Sequence, residues 1–308
     1  MSNVLVVGSS NVDLIARVSR FPDPGETVGD AVYKKVFGGK GANQAMAAVR
    51  AGGNVTFVTG IGNDNYALEL KEHFQSNGIR TDHLKQFSDC PTGVALIMVD
   101  KSGENMIAVA PGANGKLTTD LVDERLIEWA DIVLMQMEIP YRTVKDLALL
   151  TSKYNTHLML NPAPARVLDE ELLGCVDSLV LNESEANLVS GLSIIDDGIG
   201  AVAKKLSDMG SRMVIITLGK EGSFIYSEKI REKVPAFPVR AVDSTAAGDT
   251  FCGVLSVGIS GGIEIQEAVR FASAAAAISV TRLGAQDSIP MRREIESFLD
   301  EHNRTVKQ

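Results

Sequence analysis

The sequence predicts an α/β fold, in which helices flank a mostly parallel central sheet and a small antiparallel β-sheet forms a lid. Two observations predict the central sheet. Short apolar runs rich in β-branched residues recur along the chain, and segments with helical periodicity separate them. A third observation predicts the lid, because two regions instead alternate polar and apolar residues around turn sequences.

The predicted strands of the central sheet are short and apolar. They lie at residues 4–7, 55–59, 132–135, 157–160, 178–181 and 213–218. Helical periodicity predicts helices at residues 41–52, 66–78, 119–130, 141–153, 199–210, 248–259, 265–280 and 290–302. Because strands and helices alternate, we expect the strands to run parallel with helices on both faces of the sheet.

The lid is predicted from residues 12–37 and 92–109, where DPG and KSGEN turns interrupt the alternating pattern. Such a pattern is typical of antiparallel hairpins. A small sheet inserted near the carboxyl ends of parallel strands would cover a ligand bound there. We therefore divide the chain into an α/β core, residues 1–11, 44–91 and 110–308, and a lid, residues 12–43 and 92–109.

Composition excludes several classes of function. The 308 residues are 45% hydrophobic, which is enough for an extensive core. The net charge of −9 argues against a general nucleic-acid binder, because such a protein needs a basic surface. A small or metal-complexed anion could still bind locally. The cysteines, Cys90, Cys175 and Cys252, form no zinc motif and suggest buried thiols in a reducing compartment. No signal sequence or membrane-length apolar segment is evident, so we expect a cytoplasmic protein without a membrane partner.

The first motif is GGKGANQ, residues 38–44. Glycines before a helix leave backbone N–H groups accessible to an oxygen-rich ligand, and Asn43 adds a polar group to an otherwise apolar helix. Glycine-rich turns before helices are common, so the motif alone is weak. It also fails the GxxxxGK[ST] pattern of a phosphate loop.

The second motif is GSSNVDLI, residues 8–15, which follows the first predicted strand. A dinucleotide fold would place GxGxxG here, so the single glycine removes the main support for a nicotinamide-dependent dehydrogenase. Asn11 and Asp13 lie at strand spacing with both side chains on one face. They are either ligand-binding groups or part of an Asx turn.

The third motif is LNESEANLVSG, residues 181–191. Asn182 follows an apolar strand and Glu185 comes three residues later, so the two can share one face of a starting helix. Magnesium is usually bound through few carboxylates and several waters, which this pair could order. A helix cap explains the same residues equally well.

The fourth motif is DSTAAGDTFCG, residues 243–253. If a helix begins at Gly248, the N–H groups of Ala246, Ala247, Gly248 and Asp249 converge at its positive end, where charge on a transferring phosphoryl group would be stabilised. Asp249 would stay ionised there and could accept a proton from a hydroxyl. An ordinary helix N-terminus would explain Asp249 but not the absence of bulky neighbours.

Taken together, these motifs resemble the ribokinase family of carbohydrate kinases. The resemblance covers nearly the whole chain in order, through VVGSSNVD, GGKGANQA, LNPAPAR, LNESEA, VIITLGKEG, DSTAAGDTF and SVTRLGAQDSIP. GGKGANQ and TAAGDTF are its most specific segments. The resemblance implies a ribokinase-like fold and transfer of the γ-phosphoryl group of ATP to the 5-hydroxyl of ribose, with Mg²⁺ and a monovalent cation, K⁺, as cofactors and a homodimer formed through the lid sheet.

The resemblance also implies roles for individual residues. Asp249 would be the base, and Ala246, Ala247 and Gly248 would form the anion hole. The sugar would be bound by Asn11, Asp13, Gly39, Lys40, Asn43, Glu138 and Asp249. ATP would be bound by Asn182, Thr217, Gly219, Gly222, Gly248 and Ser273, the last expected near the adenine. Asn182 and Glu185 would hold Mg²⁺ through water, and Asp243, Thr245 and Ser288 would hold the monovalent cation.

Two alternatives remain open at this point. The acceptor could be 2-deoxyribose, another pentose, a hexose or a nucleoside, because one sequence does not rank close analogues. The chain could also be a sugar-binding regulator without catalysis, although such a protein has no need of a base or a metal site.

The role of Lys40 is also open. Lys40 either helps to bind the sugar or is solvated beside the glycine loop.

Overall fold

The structure, a computed structural model, describes residues 2–305. The strands are β1 (Asn3–Val7), β2 (Asn11–Arg17), β3 (Val32–Gly38), β4 (Asn54–Val58), β5 (Gly60–Ile61), β6 (Lys85–Gln86), β7 (Gly93–Val99), β8 (Asn105–Ala110), β9 (Ile132–Met135), β10 (His157–Leu160), β11 (Ser178–Asn182), β12 (Met213–Thr217), β13 (Ser223–Ser227) and β14 (Arg231–Val234).

The helices are α1 (Lys40–Arg50), α2 (Asn65–Ser76), α3 (Glu124–Trp129), α4 (Tyr141–Lys153), α5 (Glu170–Leu173), α6 (Glu183–Ser190), α7 (Ile194–Asp197), α8 (Ile199–Asp208), α9 (Ala247–Ser260), α10 (Ile265–Ser279) and α11 (Arg292–Thr305). Short 3₁₀ helices cover Gly112–Lys116, Thr119–Leu121, Gly219–Glu221 and Gln286–Ser288. No helix within residues 2–305 is long and apolar enough to cross a membrane.

The central sheet has eight strands in the order β14-β13-β12-β11-β10-β9-β1-β4. The strands from β12 to β4 pair in parallel, and β13 and β14 add an antiparallel edge. Every apolar run predicted as a central strand lies in this sheet, so the mostly parallel sheet is confirmed. The strands of the antiparallel edge were not predicted.

Helices cover both faces of the sheet, because successive side chains of a strand point to opposite sides. Val4 and Val6 of β1 face a core formed with α1, α2, α9 and α10. Leu5 and Val7 face a second core formed with α3, α4, α6 and α8. The predicted layer of helices on each side is therefore confirmed.

One predicted helix is divided. Residues 119–130 form the 3₁₀ helix Thr119–Leu121 and then α3, with Val122 in an extended conformation between them. Asp123 causes the division, because its side chain accepts a hydrogen bond from Arg125 N at 3.0 Å and so starts a new helix. The helix predicted from residue 290 begins later, at Arg292.

The lid is a separate four-stranded sheet in the order β3-β2-β7-β8. Its outer pairs, β2 with β3 and β7 with β8, are the predicted antiparallel hairpins, whereas the inner pair β2 and β7 is parallel. The inner strands come from different hairpins, so no tight turn requires them to be antiparallel. After the lid strand β3, α1 begins at Lys40 and packs on α9. The exact residues at which the chain is divided between core and lid stay a prediction.

The fold brings polar residues to one edge of the central sheet. Asn161 follows β10, Asn182 ends β11 and Thr217 ends β12, while the chain leaves β1 directly for the lid. The N-termini of α1 and α9 lie at the same edge, since Asn43 of α1 and Asp249 of α9 are hydrogen-bonded to each other. The carboxyl ends of parallel strands are where α/β folds bind ligands.

Candidate active site

The N-terminus of α9 forms one wall of a cavity of about 200 Å³. Ala246 precedes the helix in a left-handed conformation, with φ of 58°, which is strained for a residue with a Cβ and typical of functional sites. Gly248 is exposed, and a Cβ added to it would meet no atom within 4 Å. The helix start is therefore open to a ligand, as the small residues of this segment predicted.

Three backbone N–H groups at this helix start are available to an anion. Ala247 N donates to Ser244 O at 3.2 Å, so that group is already used in a turn. Within residues 2–305, the N–H groups of Ala246, Gly248 and Asp249 have no hydrogen-bond acceptor, as expected at the start of a helix. Three of the four N–H groups of the predicted anion hole are therefore free, and its role stays a prediction.

Asp249 lines the cavity and is only 6% exposed. Its Oδ2 accepts a hydrogen bond from Asn43 Nδ2 at 2.9 Å, and its Oδ1 accepts one from Gln44 Nε2 at 3.0 Å. Two amide donors, one on each oxygen, fix the orientation of the carboxylate. The side chain is therefore fixed in place as a potential base.

Gly253 permits this contact between α1 and α9. A Cβ at that position would lie 2.3 Å from Gln44 O and 2.6 Å from Ala47 Cβ. Only glycine allows the two helices to approach so closely. The close packing brings the amides of α1 within reach of the Asp249 carboxylate.

The glycines of GGKGANQ allow a second close approach, between the start of α1 and the segment after β1. Gly39 has φ of 90°, and a Cβ there would lie 2.8 Å from Asn11 N. A Cβ at Gly41 would lie 2.6 Å from Ser9 N. These glycines therefore serve backbone packing, and they bring Asn11 next to the helix that carries Asn43.

Glu138 caps α1. Its Oε2 accepts hydrogen bonds from Lys40 N at 2.9 Å and from Ser9 Oγ at 2.5 Å. A carboxylate at a helix N-terminus satisfies free N–H groups and the helix dipole. Glu138 thus holds the two glycine-rich segments together, and its second oxygen, Oε1, remains for other contacts.

Asn11 and Asp13 lie in β2 of the lid, as the two-residue spacing predicted. Asn11 Oδ1 accepts a hydrogen bond from Asn114 Nδ2 at 2.8 Å, so its orientation is fixed. Burial first, and then the charges of Glu138 and Asp249, together raise the pKa of the Asp13 carboxyl to about 7. Three carboxylates therefore surround the space between lid and core.

Lys40 faces these carboxylates. Burial lowers the pKa of its ammonium, but Asp249, Glu138 and Glu185 outweigh that effect and hold the pKa above its ordinary value. The side chain also lines the cavity with Asp249. Lys40 is thus a permanently charged group inside the site and not a solvated side chain beside it.

Asn182 and Glu185 form a capping box at the start of α6. Asn182 Oδ1 accepts from Glu185 N at 2.8 Å, and Glu185 Oε2 accepts from Asn182 N at 2.9 Å. The interpretation of this pair as a helix cap is thus correct, yet both residues also line the cavity. Burial raises the pKa of the Glu185 carboxyl, whose second oxygen, Oε1, is free for a cation.

The residues predicted to bind ATP are divided between the cavity and its surroundings. Thr217 lines the cavity. Gly219 is exposed with φ of +54° and open space beside it, whereas a Cβ at Gly222 would lie 2.1 Å from Val234 O. Gly222 therefore serves the packing of the β13–β14 hairpin. Ser273 is half-buried in α10 and does not line this cavity.

The residues predicted to hold a monovalent cation lie on two neighbouring segments. Val242 N and Asp243 N both donate to Val280 O, which joins the segments. Asp243 accepts hydrogen bonds from Thr245 N at 2.9 Å and Gly284 N at 2.9 Å. Ser288 is buried, and its hydroxyl donates to Ala285 O at 2.7 Å.

Several residues of the site were not predicted. Their common feature is an amide side chain that is buried behind the residues of the motifs: Gln44, Asn114, Gln136, Asn161 and Gln286. Asn161 follows a strand directly, the same signal that identified Asn182, and Gln44 closes the GGKGANQ motif. Cys252, one helical turn after Asp249, also lines the cavity as a buried thiol.

No group of three or more histidine, cysteine or acidic side chains that could hold a metal occurs within residues 2–305. Magnesium keeps several waters and needs only one or two carboxylates together with substrate phosphates. Glu185 beside the cavity meets that lesser requirement.

Comparison with known proteins gives consistent results. The family model "pfkB family carbohydrate kinase" matches residues 1–292. The chain is 42% identical over 298 residues to the ribokinase of Haemophilus influenzae, covering 96% of this chain and 97% of the relative.

Two solved structures share the fold over nearly their whole length. The ribokinase of Thermotoga maritima matches with a TM-score of 0.89 and 41% identity, over 97% of this chain and 100% of that one. The Arabidopsis thaliana ribokinase complexed with ribose and ATP matches with a TM-score of 0.91 and 30% identity, over 97% of this chain and 99% of that one.

Proposed function

This chain belongs to the pfkB family of carbohydrate kinases, and from that membership we infer that it transfers the γ-phosphoryl group of ATP to the 5-hydroxyl of D-ribose, giving ribose 5-phosphate. One observation carries the chemistry. The Asp249 carboxylate lies at the open N-terminus of α9, held by two amides, in a cavity that also contains the Lys40 ammonium.

Asp249 is proposed as the general base. A carboxylate oxygen accepts the proton of the 5-hydroxyl as the sugar oxygen forms a bond to the γ-phosphorus, and the bond from phosphorus to the ADP oxygen breaks. Each Asp249 oxygen accepts only one protein hydrogen bond, so a lone pair remains for this proton. Positioned bases of this kind contribute about 10²- to 10⁴-fold to rate.

The charge of the transferring group is stabilised by positive groups on the same wall. The free N–H groups of Gly248 and Asp249 point from the positive end of α9, and Lys40 adds a full charge. Phosphoryl transfer depends mainly on such positioning and electrostatic stabilisation. Magnesium, when bound near Glu185, would neutralise negative charge on the ATP phosphates.

Ribose recognition is proposed for Asn11, Asp13, Gly39, Asn43 and Glu138. Ribose is an uncharged ring that carries hydroxyl groups. A site distinguishes it from other sugars through buried hydrogen-bond donors and acceptors, which are left unpaired when an analogue lacks the matching hydroxyl. Asn43 Oδ1 accepts from Gln286 Nε2 at 3.1 Å, and one Nδ2 hydrogen binds Asp249. Asn43 therefore offers the sugar its second Nδ2 hydrogen, which suits a hydroxyl oxygen.

The direct test is a coupled assay of ADP release with a panel of sugars. We expect kcat/KM to be higher for ribose than for 2-deoxyribose, other pentoses, hexoses and nucleosides, because a site built to hydrogen-bond a hydroxyl rejects the analogue lacking it by up to about 10⁴-fold. A higher value for 2-deoxyribose would change the acceptor but keep the kinase. Sugar binding without any ADP formation would instead make the protein a non-catalytic binder.

Activation by potassium is proposed from the paired segments around residues 243 and 284. Asp243 supplies a carboxylate fixed by Thr245 and Gly284, and Thr245 and Ser288 add hydroxyls on the two segments. We expect activity to rise when K⁺ replaces tetramethylammonium at constant ionic strength. The gain should be smaller in Asp243→Asn, and equal rates in the two salts would contradict the site.

A homodimer through the lid is proposed because the lid sheet exposes apolar side chains. They are Val32, Tyr33, Leu96, Met106, Ile107 and Val109, each at least 52% exposed. Apolar patches of this kind mark interfaces. Sedimentation should show twice the mass of one chain, and Ile107→Lys should shift it towards a monomer; a monomeric parent protein would contradict the proposal.

A cytoplasmic location is proposed from the cysteines and the substrate. The three cysteines are unpaired thiols, as expected in a reducing compartment, and ATP is supplied there. Fractionation of the source cells should recover the protein with cytoplasmic markers. Recovery with a secreted fraction would overturn this location.

A further inference from the structure

We propose that Gln44 is a positioning residue for phosphoryl transfer, which orients the Asp249 carboxylate towards the acceptor hydroxyl. The proposal rests on the proposed role of Asp249 as base. Gln44 belongs to α1 and is fully buried. No solvent reaches it, so water does not replace its hydrogen bonds when the side chain is changed.

Gln44 binds two acceptors with one amide group. Its Nε2 donates to Asp249 Oδ1 at 3.0 Å and to Asn161 Oδ1 at 3.1 Å. Both hydrogens of the amide nitrogen are thereby used. Because Asn43 donates to the other carboxylate oxygen, removal of Gln44 leaves Asp249 held at Oδ2 alone.

The direction of these hydrogen bonds follows from a backbone carbonyl. Asn161 Nδ2 donates to Val180 O of β11 at 3.0 Å, and a carbonyl oxygen only accepts. Asn161 must therefore turn its Oδ1 towards Gln44, which in turn must present its NH₂ group there. The same NH₂ group then faces Asp249. The central sheet thus dictates which atom of Gln44 reaches the carboxylate.

A second contact fixes the other end of the Gln44 amide. Gln136 Nε2 donates to Gln44 Oε1 at 2.6 Å. If the Gln44 amide flipped, its NH₂ group would face the donor of Gln136 and its oxygen would face two acceptors. Three hydrogen bonds would be lost together, so the amide has one allowed orientation.

The consequence is a carboxylate with a fixed rotation about its Cβ–Cγ bond. A base must lie within hydrogen-bond reach of the proton it removes, and a small misplacement has a large effect on rate. Loss of Gln44 should therefore lower turnover, while the sugar-binding groups of the lid stay in place.

The test is Gln44→Met, which keeps the length and removes the amide. We expect kcat to fall about 10- to 100-fold, as for loss of a hydrogen bond to a charged group, with the KM for ribose within about threefold. A merely structural defect would instead raise the KM for ribose together with the loss of kcat. Gln75→Met on the exposed face of α2 is the matched control and should leave kcat and KM unchanged.

A double-mutant cycle with Asp249→Asn separates this proposal from the proposed function. If Gln44 acts through Asp249, Gln44→Met should change the residual rate of Asp249→Asn less than about threefold. A normal rate in Asp249→Asn alone would refute the base. A slow Asp249→Asn with a normal Gln44→Met, or an equal rate loss from Gln44→Met in the parent protein and in Asp249→Asn, would refute only the role of Gln44.

If Gln44→Met does not fold, Gln136→Met tests the same proposal, because Gln136 holds the Gln44 amide in its orientation. Gln136 Oε1 has no hydrogen-bond partner, so this substitution removes only the contact to Gln44 Oε1. We expect a smaller fall in kcat, with the KM for ribose unchanged. A kcat equal to that of the parent protein in a folded Gln136→Met variant would overturn the proposal.

Discussion

Asp249→Asn should lower kcat about 10²- to 10⁴-fold, the usual contribution of a positioned general base. The asparagine cannot take the proton of the 5-hydroxyl. Binding of ribose should persist, because Asn11, Asp13 and Glu138 lie on other elements. Steady-state kinetics of ADP release give kcat, and calorimetric titration gives the affinity for ribose.

The structure also predicts a cost in stability for this variant. Asn43 and Gln44 both donate to Asp249, so the new NH₂ group must face one of these donors. An unpaired buried donor costs about 1–3 kcal/mol, which thermal unfolding would reveal. Asp300→Asn, an exposed carboxylate on α11, is the control and should match the parent protein. A kcat within tenfold of the parent would show that the base lies elsewhere.

Asp13→Asn should have the second largest effect, an increase in the KM for ribose of about 10- to 100-fold, as expected when a charged hydrogen-bond acceptor is lost. The pKa of Asp13 is raised to about 7, mainly by burial. Sugar hydroxyls donate best to the ionised carboxylate. The KM of the parent protein should therefore fall as the pH rises through 7, and this dependence should disappear in the variant.

The same substitution should stabilise the protein without sugar. A carboxyl whose folded pKa lies above its unfolded value of 3.8 binds its proton more tightly in the folded state, so the free energy of unfolding decreases as the pH rises from about 4 to about 7. At pH 8 the ionised Asp13 costs about 2–4 kcal/mol. Asp13→Asn removes that cost.

Urea unfolding at pH 5.5 and pH 8 would measure this effect. The gain in stability of Asp13→Asn over the parent should be larger at pH 8, where the parent carboxyl is ionised. Asp82→Asn, an exposed residue, should show no gain at either pH. A gain that is absent at pH 8, or an unchanged KM for ribose, would contradict the placement of Asp13 as a buried acceptor.

Local patterns accounted for much of this fold. The parallel strands of the central sheet and most helices follow from apolar periodicity, which acts over a few residues. The pairing of Asn182 with Glu185 follows from a spacing of three. The prediction of one continuous helix at residues 119–130 was wrong. Apolar periodicity does not detect a helix N-cap such as Asp123 inside an amphipathic segment. The parallel inner pair of the lid, β2 and β7, joins strands that are far apart in sequence. Turn sequences predict only the pairing of consecutive strands, so they did not predict this pair.

The amino-acid sequence alone predicted the central sheet with its helices, the motifs at the carboxyl edge of that sheet, and the position of Asp249 at the start of a helix. The folded chain was needed to identify the amides behind that edge. Gln44 and Asp249 are 205 positions apart, and their contact exists because Gly253 lets two helices meet. The raised pKa of Asp13 likewise arises from burial and from neighbours on other elements. Periodicity and capping act between near neighbours in sequence, whereas burial and electrostatics depend on all neighbours in space.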